Sequence, residues 1–363
     1  MNVTLFFSGL DARGGISPDV RLLESGLLGR GVAVTATGSL REVWRRTGAK
    51  ESILDVYGCL PSPKTLLAMA MAARPSCRLV WTPVFHPRRR EVWKGAGAYR
   101  LMEVFDRLAP HIARLVDGVS AATEEEAAYF EKMGARRTRV IPLVAGAGGH
   151  PLQGEARLAA RRRHGLAAEP LILMVAAHSP RRKGMSFAAE TMRHLRRRHP
   201  AARVLVVGGG DAGPLAHEPG VVAAGWCSDE VLESAYRSAD VLFVPSLYEQ
   251  FSRATIEAWS YELPVVMSDG VALAVTAGAA GAGLVVPYGD ARAAAAALDR
   301  VISDELLRRS MGVAGRALVD ERFVLDKHVE ASLELFNAVV AGAGGRRSVE
   351  ANDIADAPTS ASN

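Results

Sequence analysis

The most constraining stretch of this 363-residue chain runs from Ser238 to Asp269, SADVLFVPSLYEQFSRATIEAWSYELPVVMSD. Val241 to Val244 is an unbroken apolar run, the pattern of a parallel strand covered on both faces. Pro245 and Ser246 end it, a loop carries Glu249, a helix is expected from about Arg253, and Pro264 to Met267 reads as the next strand. In open α/β sheets, ligands bind where strands end and helix N-termini present free N–H groups. Glu249 falls at such an end, and Glu257 lies eight residues further on, about one turn into the helix. Taken singly, each glutamate reads as an ordinary solvated residue. Together, one carboxylate in the loop and one in the helix could accept hydrogen bonds from the hydroxyls of a sugar and of a ribose.

The whole stretch resembles the donor-site signature of retaining nucleotide-sugar glycosyltransferases of the GT-B fold. That signature reads A-D, an apolar run, P-S-x-x-E-x-F, a small residue, four more residues, E-A and then G-x-P-V-V. Ala239-Asp240, Pro245-Ser246, Glu249, Phe251, Glu257-Ala258 and Pro264-Val265-Val266 match it, with seven residues between the glutamates. Gln250, Ser252 and Glu262 stand where glycines are usual. Ser252 in place of glycine narrows the backbone freedom of the loop.

A chain of this length suits two domains, each with its own core. The net charge of +5 is compatible with a polyanionic ligand such as a nucleotide diphosphate, or with weak attraction to an anionic membrane surface, and does not call for nucleic acid. Cys59, Cys77 and Cys227 are odd in number and form no metal or redox motif, so a reducing cytoplasm is the expected compartment. Met1 to Gly9 reads as a first strand and not as a signal peptide. No stretch has the length and apolarity of a membrane span.

In the N-terminal half, Val3 to Phe7 leads to Gly14-Gly15 and a helix from about Pro18 to Gly29. Paired glycines before a helix suit either close approach to a phosphate or a plain surface turn. A strand over Leu79 to Thr82 ends in PVFHP, with His86 just beyond it, and Arg88-Arg89-Arg90 follows. That charge run suits a solvated face and equally an anionic acceptor or lipid headgroup at a cleft mouth. Leu101, Val104, Phe105, Leu108, Ile112 and Leu115 recur at helical spacing and are expected in the core, with Pro110 kinking or dividing the helix. Thr123 and Glu126 form a capping-box pattern before another helix. The glycine-rich run Leu143 to Gly149 is a natural interdomain hinge.

In the C-terminal half, a strand over Leu171 to Ala176 precedes HSPRRKG, so Arg181, Arg182 and Lys183 fall at a strand end. Arg203 to Val207 leads to Gly208-Gly209-Gly210-Asp211, which lacks the spacing of a dinucleotide fingerprint. Trp226, after a strand over Val221 to Ala224, fits either a ligand loop or the core. Val329 to Val340 reads as a terminal helix, and the polar tail from about Gly342 as disordered.

The resemblance implies two Rossmann-like domains facing a cleft: an acceptor domain over 1–148, a donor domain over 149–325, a helix over 326–341 returning to the first domain, and the tail over 342–363. It implies transfer of a sugar from a nucleotide-diphosphate sugar to an acceptor hydroxyl with retention of anomeric configuration, with no cofactor and no metal. By the same resemblance, Lys183 with Arg182 (or Arg181) holds the diphosphate, with Gly14 and Gly15 opposite. The helix start at Phe251, Ser252 and Arg253 contributes backbone donors. Glu257 takes the ribose, Glu249 aligns the donor sugar and His86 approaches it from the other domain. The family's early arginine is missing, with Ala177 or His178 in its place. Two other readings stay open: a phosphorylase, synthase or epimerase on the same fold, and a non-catalytic nucleotide-sugar-binding partner subunit. Peripheral membrane contact through the basic N-terminal domain is a further expectation.

Overall fold

The computed structural model describes residues 1–10, 17–58, 62–83, 96–146, 148–176 and 180–342. The N-terminal half alternates strands and helices in the order β1 (Asn2–Phe6), α1 (Ser17–Gly29), β2 (Ala33–Thr37), α2 (Leu40–Thr47), β3 (Ser52–Tyr57), α3 (Pro63–Met71), β4 (Cys77–Thr82), α4 (Ala96–Leu115), β5 (Gly118–Ala121), α5 (Glu124–Lys132) and β6 (Thr138–Val140). The C-terminal half continues with α6 (Gly154–Arg162), β7 (Leu171–Val175), α7 (Met185–Leu195), β8 (Arg203–Val207), β9 (Val221–Gly225), α8 (Asp229–Ser238) and β10 (Val241–Val244). It closes with α9 (Arg253–Ser260), β11 (Val265–Ser268), α10 (Ala274–Ala279), β12 (Gly283–Val286), α11 (Ala291–Ser303), α12 (Glu305–Arg322) and α13 (Leu325–Ala341).

The strands form two six-stranded sheets, ordered β2-β1-β3-β4-β5-β6 and β12-β11-β10-β7-β8-β9, and all the pairings are parallel. Parallel strands need helical crossovers, which bury both sheet faces, so central strands such as β3 and β10 are buried along their whole length. Over the first sheet, Val43, Ala68, Ala109, Ala113 and Phe130 of α2 to α5 pack on one face, and Val20, Leu23 and Leu27 of α1 with Val329, Leu335 and Phe336 of α13 pack on the other. The last helix therefore returns across the molecule to close the first sheet's core. Each sheet reverses its strand order once, between β1 and β3 and between β7 and β10. At such a reversal the neighbouring loops turn to opposite faces and leave a crevice. The segments after β7 and β10 carry Arg182, Lys183 and Glu249, so the C-terminal crevice brings these residues together.

At α4 one of the two alternatives for Pro110 falls away, and the core assignment needs correction. The helix is not divided: Pro110 lies inside a continuous run, and buried Ala109 and Ala113 with partly buried Ile112 hold it to the sheet. Val104 and Leu115 do not belong to the core, being 47% and 65% exposed. Ala109 and Ala113 lie at the contact with the sheet, and Val104 and Leu115 fall outside it. At α5, Thr123 accepts a hydrogen bond from the Glu126 amide at 3.2 Å, while the Glu126 carboxylate accepts from the Ala122 amide, one residue ahead of the usual capping-box partner.

Candidate functional site

The loop after β10 is held as firmly as a strand. The Glu249 amide donates to the Gly270 carbonyl at 3.0 Å, and the Glu249 carbonyl accepts from the Ala272 amide at 2.9 Å. The Ser268 hydroxyl donates to the Ser246 carbonyl, and the Leu247 amide donates to the Arg182 carbonyl at 2.8 Å. The loop is thereby tied to the segments following both β11 and β7. Gly184 makes the second tie possible. Its φ of +70° lies in the left-handed region, and a Cβ there would overlap the Pro245 carbonyl oxygen. A glycine must follow Lys183 for the two loops to meet.

That meeting places Lys183 and Arg182 against Glu249. The Lys183 Nζ donates to Glu249 Oε1, the Arg182 Nη1 lies 3.6 Å from Oε2, and the Ser246 hydroxyl donates to Oε1 at 3.2 Å. Burial pushes the pKa of Glu249 up. The charges of Lys183 and Arg182, with the hydrogen bonds from Lys183 and Ser246, outweigh that and bring it below the usual carboxylate range. The result is an ionised carboxylate with two cations, one positive charge in excess, at the end of a helix-flanked crevice. Of the two arginines that the sequence leaves open, Arg182 joins this cluster and Arg181 is exposed.

The second carboxylate sits one turn into α9. Glu257 Oε2 accepts from the Tyr236 hydroxyl at 2.8 Å, and Oε1 accepts from Arg253 Nε at 3.0 Å. The Arg253 Nη1 reaches across to Asp19 in the first turn of α1. Asp19 is 1% exposed, and its other oxygen accepts from the Val144 amide at 3.3 Å. Burial raises the pKa of both Glu257 and Asp19, with Arg253 as the main opposing charge in each case. A second polar tie joins the two halves: Gln250 Nε2 donates to Thr123 Oγ1 at 3.0 Å, and Gln250 Oε1 accepts from the Tyr248 hydroxyl at 2.7 Å.

A pocket of ≈ 210 Å³ opens at the ends of β7, β8 and β9, next to Lys183. Its floor includes Gly208, Gly209 and Gly210, and a Cβ at Gly208 would overlap the Ala176 carbonyl oxygen. Trp226 packs against Gly209 and is 49% exposed, so it does not belong to the core.

The remaining sequence candidates fall into separate groups. Gly14, Gly15 and His86 lie outside the described residues, as do the triple arginine and the tail from 343 onward. Phe251 packs edge-on against Phe323, with ring centroids 5.9 Å apart, so only its backbone borders the site. Ser252, at the N-cap of α9, is 2% exposed, and its hydroxyl accepts from Thr255 Oγ1 at 2.8 Å. Asp240 serves the framework of the C-terminal half, pairing with Arg157 and Arg161 and accepting the Leu171 amide at the start of β7. Asp19 and Tyr236 were not legible as site residues. Asp19 is 234 positions from Arg253, and no local pattern links them. Among the described residues, no group of three or more His, Cys, Asp or Glu could hold a metal ion, and no helix is long and apolar enough to cross a membrane.

Residues 169–304 match the protein family described as glycosyl transferases group 1. The chain is 34% identical over 143 residues to a phosphatidyl-myo-inositol mannosyltransferase of Mycolicibacterium smegmatis, covering 38% of this chain and 37% of that protein. It is 32% identical over 256 residues to a D-inositol 3-phosphate glycosyltransferase of Nocardia farcinica, covering 64% of this chain and 56% of that protein. The chain thus spans between a third and somewhat over half of the length of these curated relatives. Among solved structures, sucrose-phosphate synthase of Thermosynechococcus elongatus matches with a TM-score of 0.75 at 21% identity, over 94% of this chain and 100% of that one. The Anabaena protein HepE in complex with UDP-glucose matches with a TM-score of 0.73 at 16% identity, over 93% and 100%. The fold is therefore the GT-B arrangement of two Rossmann-like sheets.

Proposed function

We propose that this chain is a glycosyltransferase that moves a sugar from a nucleotide-diphosphate sugar to an acceptor hydroxyl with retention of anomeric configuration. The observation that carries the reading is the cluster of Glu249, Lys183 and Arg182 in the C-terminal crevice, with Glu257 one turn into the adjoining helix. In this reading Lys183 and Arg182 turn from Glu249 toward the incoming diphosphate. Arginine supplies a fork and lysine a point charge. They stabilise the charge that grows on the leaving group as the glycosidic bond breaks. Glu249, relieved of part of its pairing, accepts from the hydroxyls of the donor sugar and orients its anomeric carbon. Glu257 accepts from the ribose hydroxyls, and the glycine-floored pocket beside Lys183 receives the base. The N-terminal half supplies the acceptor side.

The relatives whose names specify mannosyl transfer to phosphatidyl-inositol and glycosyl transfer to inositol phosphate support a polar, phosphate-bearing acceptor class. The test is a thermal-shift panel of UDP, GDP and ADP and their diphosphate sugars on the wild type and on Glu257→Ala, followed by transfer assays with the stabilising donor. A ligand that binds the folded state raises the Tm with concentration over Kd. A rise selective for one base, lost in the variant and accompanied by transfer with the anomeric configuration kept, is the expected result. Stabilisation without transfer to any acceptor would favour the partner-subunit reading instead.

A further inference from the structure

Arg253 sits where local preference argues against it, and Asp19, well placed in its own helix, is buried where an unpaired carboxylate would be costly. Arg253 opens α9, where the partial positive charge of the helix N-terminus disfavours a cation. Asp19 lies in the first turn of α1, where its carboxylate could take a free N–H of its own helix. Beside its own amide it engages the Val144 amide and the Arg253 guanidinium of the other half, and it is almost fully buried. A buried carboxylate without a partner is costly, so the two residues answer each other. The Arg253 guanidinium is planar, and two of its nitrogens are in use: Nη1 on Asp19 and Nε on Glu257 at 3.0 Å. Fixing one edge of a rigid fork fixes the other. The Tyr236 hydroxyl holds the second oxygen of Glu257 at 2.8 Å. An ionised carboxylate has about four lone-pair positions, so two stay available to outside donors.

We infer that Asp19 is a positioning residue for the donor ribose: acting from the N-terminal half through the Arg253 fork, it sets the orientation in which Glu257 meets the ribose 2′- and 3′-hydroxyls. The inference rests on the proposed donor site and adds to it a dependence on the other domain. The Glu257 rotamer is correct only while Asp19 and Arg253 are in contact, so the halves must be in register before the ribose is read. Asp19 itself touches no nucleotide.

The experiment measures the Kd of UDP, GDP and ADP, each against its 2′,3′-dideoxy counterpart, by calorimetric titration of the full chain. The proteins are the wild type, Asp19→Asn and Arg253→Lys. Two hydrogen bonds to a charged acceptor give the ribo form an advantage on the order of 100-fold or more in the wild type. Asp19→Asn keeps the volume and removes the charge that holds the fork. Arg253→Lys keeps the charge and removes the fork. Both are expected to cut the ribo preference to within about threefold, with dideoxy binding unchanged. Variants that keep the wild-type preference overturn the positioning role and leave the donor reading standing. So do variants that weaken both forms of the nucleotide equally, since that is the signature of a merely structural contact. Wild-type protein that binds none of the six compounds, or both members of a pair alike, removes the donor reading and this inference with it. Arg253 is about a quarter exposed, so its lysine variant keeps the test decisive should the Asp19 variant fold poorly.

Discussion

Asp55 lies on β3, in the middle of the N-terminal sheet, 2% exposed. Its carboxyl accepts from the Thr82 hydroxyl at 2.8 Å and from the Tyr57 side chain, and no cation among the described residues acts on it. Burial pushes its pKa to about 7 from an ordinary 3.8, against the smaller opposing effect of those hydrogen bonds. Between these two values the folded protein holds a proton that the unfolded chain has released. The stabilisation is therefore complete below about pH 4 and is lost as pH rises through 7. Each pH unit corresponds to about 1.36 kcal/mol, so the full span of about three units is worth about 4 kcal/mol, and the part between about pH 5 and pH 8 roughly 2.5 kcal/mol. Asp55→Asn keeps the shape and an acceptor for Thr82 but does not titrate. Urea unfolding at the two pH values, followed by amide hydrogen exchange in β3 and β4, isolates the N-terminal sheet from the rest of the molecule. The wild type should lose roughly 2.5 kcal/mol more than the variant on going from about pH 5 to pH 8. Equal losses would refute the assignment of a protonated, cation-free carboxyl at this position.

Two further outcomes follow from backbone geometry. Gly184→Ala should weaken nucleoside-diphosphate binding at least about tenfold in calorimetric titrations: the left-handed conformation costs about 1–2 kcal/mol and the new Cβ drives the Lys183 loop away from Pro245. Unchanged affinity would show that Lys183 does not need its present seat. Glu262 is a non-glycine residue at φ 55°, in the turn between α9 and β11 where the resembling family has glycine. Glu262→Gly should raise the stability of the C-terminal half by about 0.5–1 kcal/mol, because the strain removed exceeds the value of an ion pair to the exposed His150, and thermal unfolding reads it directly.

Apolar runs marked individual strands, because buried parallel strands need continuous hydrophobicity, and the resemblance to GT-B glycosyltransferases implied their arrangement in two parallel sheets. The C-terminal half was the more legible. Glu249 and Glu257 share one strand–loop–helix unit, so their spacing already places them together. Lys183 was picked out by the resemblance, through the glycine that follows it, and the Pro245 contact gives the physical reason for that glycine. The choice between Arg181 and Arg182 needed three dimensions, since both directions along the loop are open to a chain read in one. Val104 and Leu115 were misplaced because periodicity marks a face without saying which of its residues will meet the sheet.

What the residues determined locally was the set of elements and the chemistry each could offer: strands, caps, two carboxylates and a basic turn. What only tertiary structure decided was which charges meet across long sequence separations. Asp19 reads as an ordinary acidic residue in a helix's first turn. In the folded molecule the start of α1 lies against the start of α9, and the buried Asp19 carboxylate finds Arg253 there. Burial and pairing are properties of the closed molecule. No local window of the chain spans the 234 positions that separate this pair.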